Sequence, residues 1–346
     1  MTSVRRQRPT IIDVATRCGL SKSTVSNVIR GAANVAPATR RRVLEAIDEL
    51  GYRPNALARQ LVQQRTSTIG VVVGDLSNPI YGELVKLLEH HALALGYTTM
   101  VSNTDGHPER EAARLEALLE RRVAGIAMLQ FSGDRSAVGE LIADGVPLVV
   151  ISCFDERVDC VTVDESRGVG IAVRHLAELG HRRIAYVTSP LVEERTDRAR
   201  HESFARECRE LGCIEVGNLS LDVDGVLANV AGSTDGLEGL LDEEPTGFAA
   251  ANDIAAIALI EALERLGASV PHDFSVVGFD GIVLGALSRI GLTTVALSCE
   301  QMAEIGIGML MEKIAGGSWP TPRQIQLEPK LVVRTTTAPP RPKEPR

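Results

Sequence analysis

Aromatic rings are scarce in this chain, with one Trp, four Tyr and six Phe among 346 residues. That leaves Tyr81, Phe131 and Phe154 as the stacking surfaces available to a sugar or a base. Long apolar runs are missing as well. Ile69 to Val73 and Pro147 to Ile151 fall far short of the roughly 18 residues that span a bilayer, which excludes a membrane helix. No apolar segment follows Arg5 and Arg6, so that pair does not open an export signal and a cytoplasmic protein is expected. The six cysteines lack C-x-x-C spacing, the seven histidines form no H-E-x-x-H, and the neighbours His90 and His91 point to different sides of a helix. Buried thiols are expected, with no metal and no cofactor. There is no nucleophile elbow and no P-loop. Gly168 with Gly170, like Gly306 with Gly308, lacks the third glycine of a dinucleotide fingerprint, so an enzyme is not expected.

What the chain does have is an uneven charge. The net value of -8 hides 12 Lys/Arg against 4 Asp/Glu in residues 1–65, and 25 against 41 in the rest. Basic charge gathered at one end attracts phosphate, while the acidic remainder repels it. The local pattern there is helical. Thr10 precedes an apolar-periodic run with Asp13 three positions on, so a helix is expected from about Ile11 to Cys18, stopped by Gly19. Ser21 can cap a second helix, Lys22 to about Ile29, with Val25, Val28 and Ile29 on one face. Pro37 opens a third, in which Val43, Ile47 and Leu50 share a face and Gly51 supplies the stop, although Ala36 stands at its cap position.

Two short helices joined at a glycine make a helix-turn-helix, whose second helix enters the major groove of DNA. Lys22, Ser23 and Asn27 lie opposite its apolar face, and with Thr24 and Arg30 they are the candidate DNA contacts. Lys can donate to guanine and Asn can pair bidentately with adenine, so both carry sequence information. Arg5, Arg6, Arg8, Arg40 and Arg42 are expected on phosphates, which position the module without specifying sequence.

The run T-I-I-D-V-A-T-R-C-G-L-S-K-S-T-V-S-N-V-I-R-G, followed by Y-R-P-N-A-L-A-R-Q-L from Tyr52 to Leu61, resembles the headpiece and hinge of the LacI/GalR family of transcriptional regulators. Asn55 to Leu61 is too short for a stable isolated helix. The resemblance implies that two such segments, one per subunit, become helices in the minor groove, with Asn55 at the start and Leu61 wedged between base steps. From Ser67 onward short β-rich runs alternate with helical patterns, the mark of parallel α/β sheets.

The fold implied is an all-α helix-turn-helix headpiece plus an α/β periplasmic-binding-protein-like sensor of two doubly wound parallel-sheet subdomains. Expected boundaries are a headpiece over 1–53, a hinge over 54–65, a sensor over 66–337 and a disordered tail over 338–346. Within the sensor, 66–163 plus 293–318 form one subdomain and 164–292 plus 319–337 the other, with crossings near Val161 to Asp164, Leu292 to Val295 and Trp319.

Open parallel sheets bind ligands beyond the carboxyl ends of their strands. D-L-S-N-P-I-Y after the first strand brings Tyr81 there, A-N-D brings Asn252 and Asp253, and V-G-F-D brings Asp280. Arg200 matches the family's effector-binding arginine, and Ser152 stands where many relatives carry aspartate. The candidate effector set is Tyr81, Ser152, Arg200, Asn252 and Asp280, with Asp253 read as a helix N-cap. A fork, a carboxylate and an amide suit a polyhydroxylated or anionic ligand, sugar-like or otherwise a nucleoside or nucleobase. The expected protein is a homodimeric repressor on a pseudopalindromic double-stranded operator. The alternative is a regulator without a small-molecule effector, controlled by a protein partner.

Overall fold

A computed structural model describes residues 9–29, 32, 35–52, 66–130, 135–190, 192, 194–228, 230, 232–317 and 321–342. The chain divides into two units, residues 1–66 and 67–346. The expected hinge, with Asn55 and Leu61, lies outside the described residues, as do Arg5, Arg6, Arg8, Arg30, Phe131 and Trp319.

Local signals set the first unit. Helix α1 (Ile11–Cys18) begins with a capping box: the Thr10 hydroxyl accepts from Asp13 N (3.3 Å) and the Asp13 carboxylate accepts from Thr10 N (2.7 Å). It stops at Gly19, whose φ of 60° is left-handed and favours a residue without Cβ. Helix α2 (Lys22–Ile29) is capped by the Ser21 hydroxyl, which accepts from Thr24 N at 3.1 Å. Helix α3 (Pro37–Leu50) starts on Pro37 with no side-chain cap from Ala36. Val14, Val25 and Val43 are fully buried where the three helices meet, joined by Ala15, Cys18, Val28 and Ala46. At about 1.5–3 kcal/mol per buried valine-sized side chain, this small core is enough to hold three short helices that none could sustain alone.

The second unit contains two six-stranded sheets. In the first lobe the strands are β1 (Thr68–Val73), β2 (Thr98–Asn103), β3 (Ile126–Leu129), β4 (Leu148–Ile151), β5 (Asp159–Val163) and β11 (Gln324–Leu327), ordered β11-β5-β4-β3-β1-β2 and all parallel. In the second they are β6 (Arg183–Thr188), β7 (Ile214–Ser220), β8 (Gly247–Ala250), β9 (Ser275–Asp280), β10 (Thr293–Ala296) and β12 (Lys330–Val332), ordered β12-β10-β9-β8-β6-β7. Among the described strands of that sheet the β10–β12 pair is antiparallel and the other pairs are parallel.

The helices are α4 (Pro79–Ala94), α5 (Pro108–Glu120), α6 (Arg135–Ala143) and α12 (Cys299–Ile314) for the first lobe, and α7 (Glu165–Glu178), α8 (Glu194–Glu210), α9 (Val223–Leu227), α10 (Asp235–Leu241) and α11 (Asp253–Arg265) for the second. In the first lobe α4 and α12 cover one face of the sheet through Leu84, Leu88, Met302 and Leu310. The other face packs against Leu115, Leu118, Val138 and Leu141 of α5 and α6. Strands buried on both faces must be apolar throughout, which is why β3 and β4 read I-A-M-L and L-V-V-I. No helix among the described residues is long and apolar enough to cross a membrane.

Three sequence expectations are corrected here. Strand β10 pairs with β9 (Thr293 beside Val277), so residues 293–296 belong to the second lobe and the crossing falls at Leu297 and Ser298. Strand β11 pairs with β5 (Ile325 beside Val161), so the last crossing falls at Glu328 and Pro329 rather than at Trp319. The polar Thr293 and Gln324 hid both strands from an apolar-run reading; sheet pairing accommodates them. Finally, the tail is held at Ala338 and at Arg341. The Ala338 carbonyl oxygen lies 2.9 Å from both His181 Nε2 and Ser275 Oγ, and Arg341 pairs with Asp273 at 2.7 Å.

Candidate functional site

In the headpiece, burying Val25 and Val28 turns Lys22 and Ser23 outward and leaves Asn27 half-buried beside them. The Ser21 hydroxyl is the centre of the first turn: Ser23 Oγ lies 2.7 Å from it and Thr24 Oγ1 2.8 Å. Thr24 is thus partly spent on its own helix, whereas the Lys22 ammonium is exposed at the amino end, where helix N–H groups also favour a phosphate. Arg40 has a local role as well. Its Nη2 donates to Ala32 O at 2.7 Å, so this guanidinium ties down the turn before α3, while Arg42 remains exposed.

In the second unit a cavity of about 730 Å³ opens at the carboxyl ends of both sheets. Gly74, Asp75, Asp105 and Gln130 line it from the first lobe, and Thr188, Ser189, Asp197, Asn218 and Ser220 from the second. Gln130 also lines a neighbouring cavity of about 300 Å³, which Ser152, Phe154, Thr162 and Glu165 border. Of the expected effector residues, Ser152 reaches this smaller cavity, held at the end of β4 with a φ of 74°. Tyr81, Arg200, Asn252 and Asp280 line neither; the last three belong to a buried polar layer beside it, and Tyr81 is half-buried.

That layer is tightly connected. Arg200 on α8 grips Glu165 through Nε (3.3 Å) and Nη2 (3.1 Å), donates from Nη1 to Ala251 O, and sits 4.2 Å over the Phe279 ring. Asp280 at the end of β9 has a φ of 117° and accepts from Asn78 Nδ2 at 3.4 Å, a contact that joins the two lobes. Asn78 in turn caps α4, its Oδ1 accepting from Ile80 N at 3.2 Å. Burial pushes the Asp280 carboxyl up to about 7, against the pull of Arg200 and with the repulsion of Asp253. Burial also raises the Tyr81 hydroxyl well above its ordinary value, and Asp280 adds to the rise.

The helix cap at α11 is Asn252, not Asp253. Asn252 Oδ1 accepts from Ala255 N at 2.7 Å, while its buried Nδ2 finds no partner among the described residues. Asp253 instead ties strand ends together, accepting from Gly281 N (2.8 Å), Ile282 N (2.7 Å) and the Thr294 hydroxyl (2.5 Å). Burial pushes it up to about 6, and those three bonds hold it from rising further. The cap went to Asn252 because the carboxylate one residue on was needed by a strand about 40 residues away (Thr294).

Sequence reasoning missed Asp75, Gln130, Thr188, Ser189, Asp197, Asn218 and Ser220, the polar wall of the larger cavity. Most follow or end a strand, so a search for polar residues at every strand terminus would have found them. The exceptions are Asn218, inside β7, and Asp197, on α8. Among the described residues no group of three or more His, Cys, Asp or Glu is placed to hold a metal ion.

Two family models match the chain: bacterial regulatory proteins of the lacI family over residues 10–55, and a periplasmic binding protein-like domain over residues 173–337. Catabolite control protein A of Priestia megaterium is 35% identical over 301 residues, covering 86% of this chain and 89% of that protein. The HTH-type transcriptional repressor PurR of Photobacterium profundum is 32% identical over 329 residues, covering 94% and 97%. The crystal structure of the lac repressor dimer bound to operator and the anti-inducer ONPF superposes with a TM-score of 0.84 at 27% identity, covering 96% of this chain and 100% of that one. A helix-turn-helix with a polar outer face, carried on the same chain as a two-lobed sensor, defines a DNA-binding transcription regulator. The chain belongs to the LacI family of bacterial regulatory proteins, whose members regulate transcription and are not enzymes.

Proposed function

We propose that this protein is a cytoplasmic homodimeric repressor that binds a pseudopalindromic operator and changes its affinity when a polyhydroxylated metabolite enters the cleft between its sensor lobes. Lys22, Ser23 and Asn27 read base edges, Thr24 supports them, and Arg30, Asn55 and Leu61 extend the contact. The observation that carries the ligand half is the wall of the larger cavity. Its described residues include carboxylates, hydroxyls, amides and one Val and Pro, with no aromatic ring among them. Hydroxyls and amides recognise a polyol, whereas a nucleobase calls for a stacking face, which among the described lining residues Phe154 of the smaller cavity alone supplies. An anionic effector is disfavoured because Glu165 already occupies the Arg200 fork.

Selection of duplexes from a random pool tests the DNA half. The full chain enriches a symmetric site, and its affinity falls steeply with salt as counterions are released. Asn27→Ala relaxes the preference at one base pair per half-site, with a loss of about 1–3 kcal/mol. An unchanged base preference removes Asn27 from the reading set; no preference for any symmetric duplex ends the proposal.

A further inference from the structure

We infer that the ligand of the larger cavity carries a positive charge, an ammonium on a hydroxylated frame such as an amino sugar. This rests on the reading of that cavity as the ligand site. Four carboxylates line it (Asp75, Asp105, Glu194 and Asp197) and no Lys, Arg or His stands among the described lining residues.

The four are not equivalent. Asp105 pairs with Arg110, and Glu194 pairs with Arg198 at 2.7 Å, so their charge is met on the surface. Asp75 accepts from Ser77 N at 2.8 Å and Asp197 accepts from the Tyr186 hydroxyl at 2.9 Å, and neither pairs with a cation among the described residues. Both are half-buried. One comes from each lobe, Asp75 beyond the end of β1 and Asp197 from α8. Two uncompensated charges of one sign facing one cavity repel each other and attract a cation from solution. A ligand ammonium between them removes the repulsion and draws the lobes together.

A second observation, independent of charge, points to a ligand in the same place. Thr188 and Ser189 line the cavity, are 6% and 3% exposed, and their hydroxyl oxygens have no hydrogen-bond partner among the described residues. Buried hydroxyls left unsatisfied are uncommon in native proteins. Gln130, Asn218 and Ser220 supply donors and acceptors that a hydroxylated ring needs, and the two buried hydroxyls, closed off from the cavity in this rotamer, reach it by turning about χ1. The wall thus combines a polyol-binding surface with a negative field.

Calorimetry and thermal shift on the full chain test this with matched triplets: hexosamines, their parent hexoses and the corresponding hexuronates. At least one hexosamine is expected to bind about tenfold or more tightly than its parent hexose, as a charge-assisted hydrogen bond would give. Asp75→Asn and Asp197→Asn each shrink that ratio toward one. If the hexose binds as tightly as the amine, if the uronate binds tightest, or if the Asn variants keep the preference, the positive charge is refuted while the sensor reading stands. If no triplet member binds or alters operator affinity, the inference falls together with the assignment of this cavity, and operator binding itself still reports on the DNA half.

Discussion

Replacing Asp280 by Asn removes one buried charge with little change in shape. Asn has the shape of the Asp that already holds the positive φ at this position, and its amide oxygen can still accept from Asn78 Nδ2. In the folded chain burial holds the Asp280 carboxyl at about 7, against 3.8 for a free one. Below pH 4 both folded and unfolded chains hold the proton, and the group is neutral in its effect. Between about 4 and 7 only the folded chain keeps it, so wild-type stability falls as pH rises through this window. Above 7 the full penalty remains.

A rise of a little over three units, at about 1.36 kcal/mol each, sets a ceiling of about 4 kcal/mol. Protein and water relaxation lower that figure, and Arg200 keeps Glu165 as its partner in the variant. For a unit of this size each kcal/mol moves the melting temperature by about 2 °C, so Asp280→Asn is expected to raise it by several degrees at pH 8. Scanning calorimetry from pH 4 to pH 8 on wild type and variant measures the difference. The gain should vanish near pH 4 and reach its plateau above 7. A gain of equal size at every pH, or a loss at pH 8, refutes the account of a charge held against its will.

Two further outcomes test the packing around the site. A Cβ on Gly168 would lie 2.7 Å from the Phe279 ring, which is held beneath Arg200. Overpacking of about 1–3 kcal/mol then outweighs the roughly 1 kcal/mol that alanine gains in a helix, so Gly168→Ala should lower the melting temperature. A higher one means the ring yields freely. Ending the chain at Thr337 deletes the Ala338 oxygen from the His181 and Ser275 cluster and Arg341 from Asp273. A loss of roughly 1–3 kcal/mol is expected in denaturant titration, whereas an unchanged midpoint would restore the view of a free tail.

The headpiece was legible because its instructions are local. Thr10 with Asp13, Gly19, Ser21, Pro37 and Gly51 each act within one helical turn, and the apolar spacing of α2 alone puts Lys22 and Ser23 outside. The central strands were legible for a related reason, since burial on both faces demands unbroken apolar runs. Strand β7 was not, because an edge strand that stays half-exposed keeps Glu215 and Asn218 and carries no such run.

The site chemistry lay deeper. Arg200 and Asp280 could be named from sequence, yet their partners Glu165 and Asn78 stand 35 and 202 positions away. Whether a fork is empty or filled, or a carboxylate charged or suppressed, depends on distance and burial, which only the folded chain sets. The two uncompensated carboxylates of the cavity show the same division. Sequence determined that Asp75 and Asp197 exist and that the sensor is acidic. Bringing them from two lobes to one cavity, with no ion pair to a described cation, was the work of the two sheets, because Coulomb energy is a function of separation in space and not along the chain.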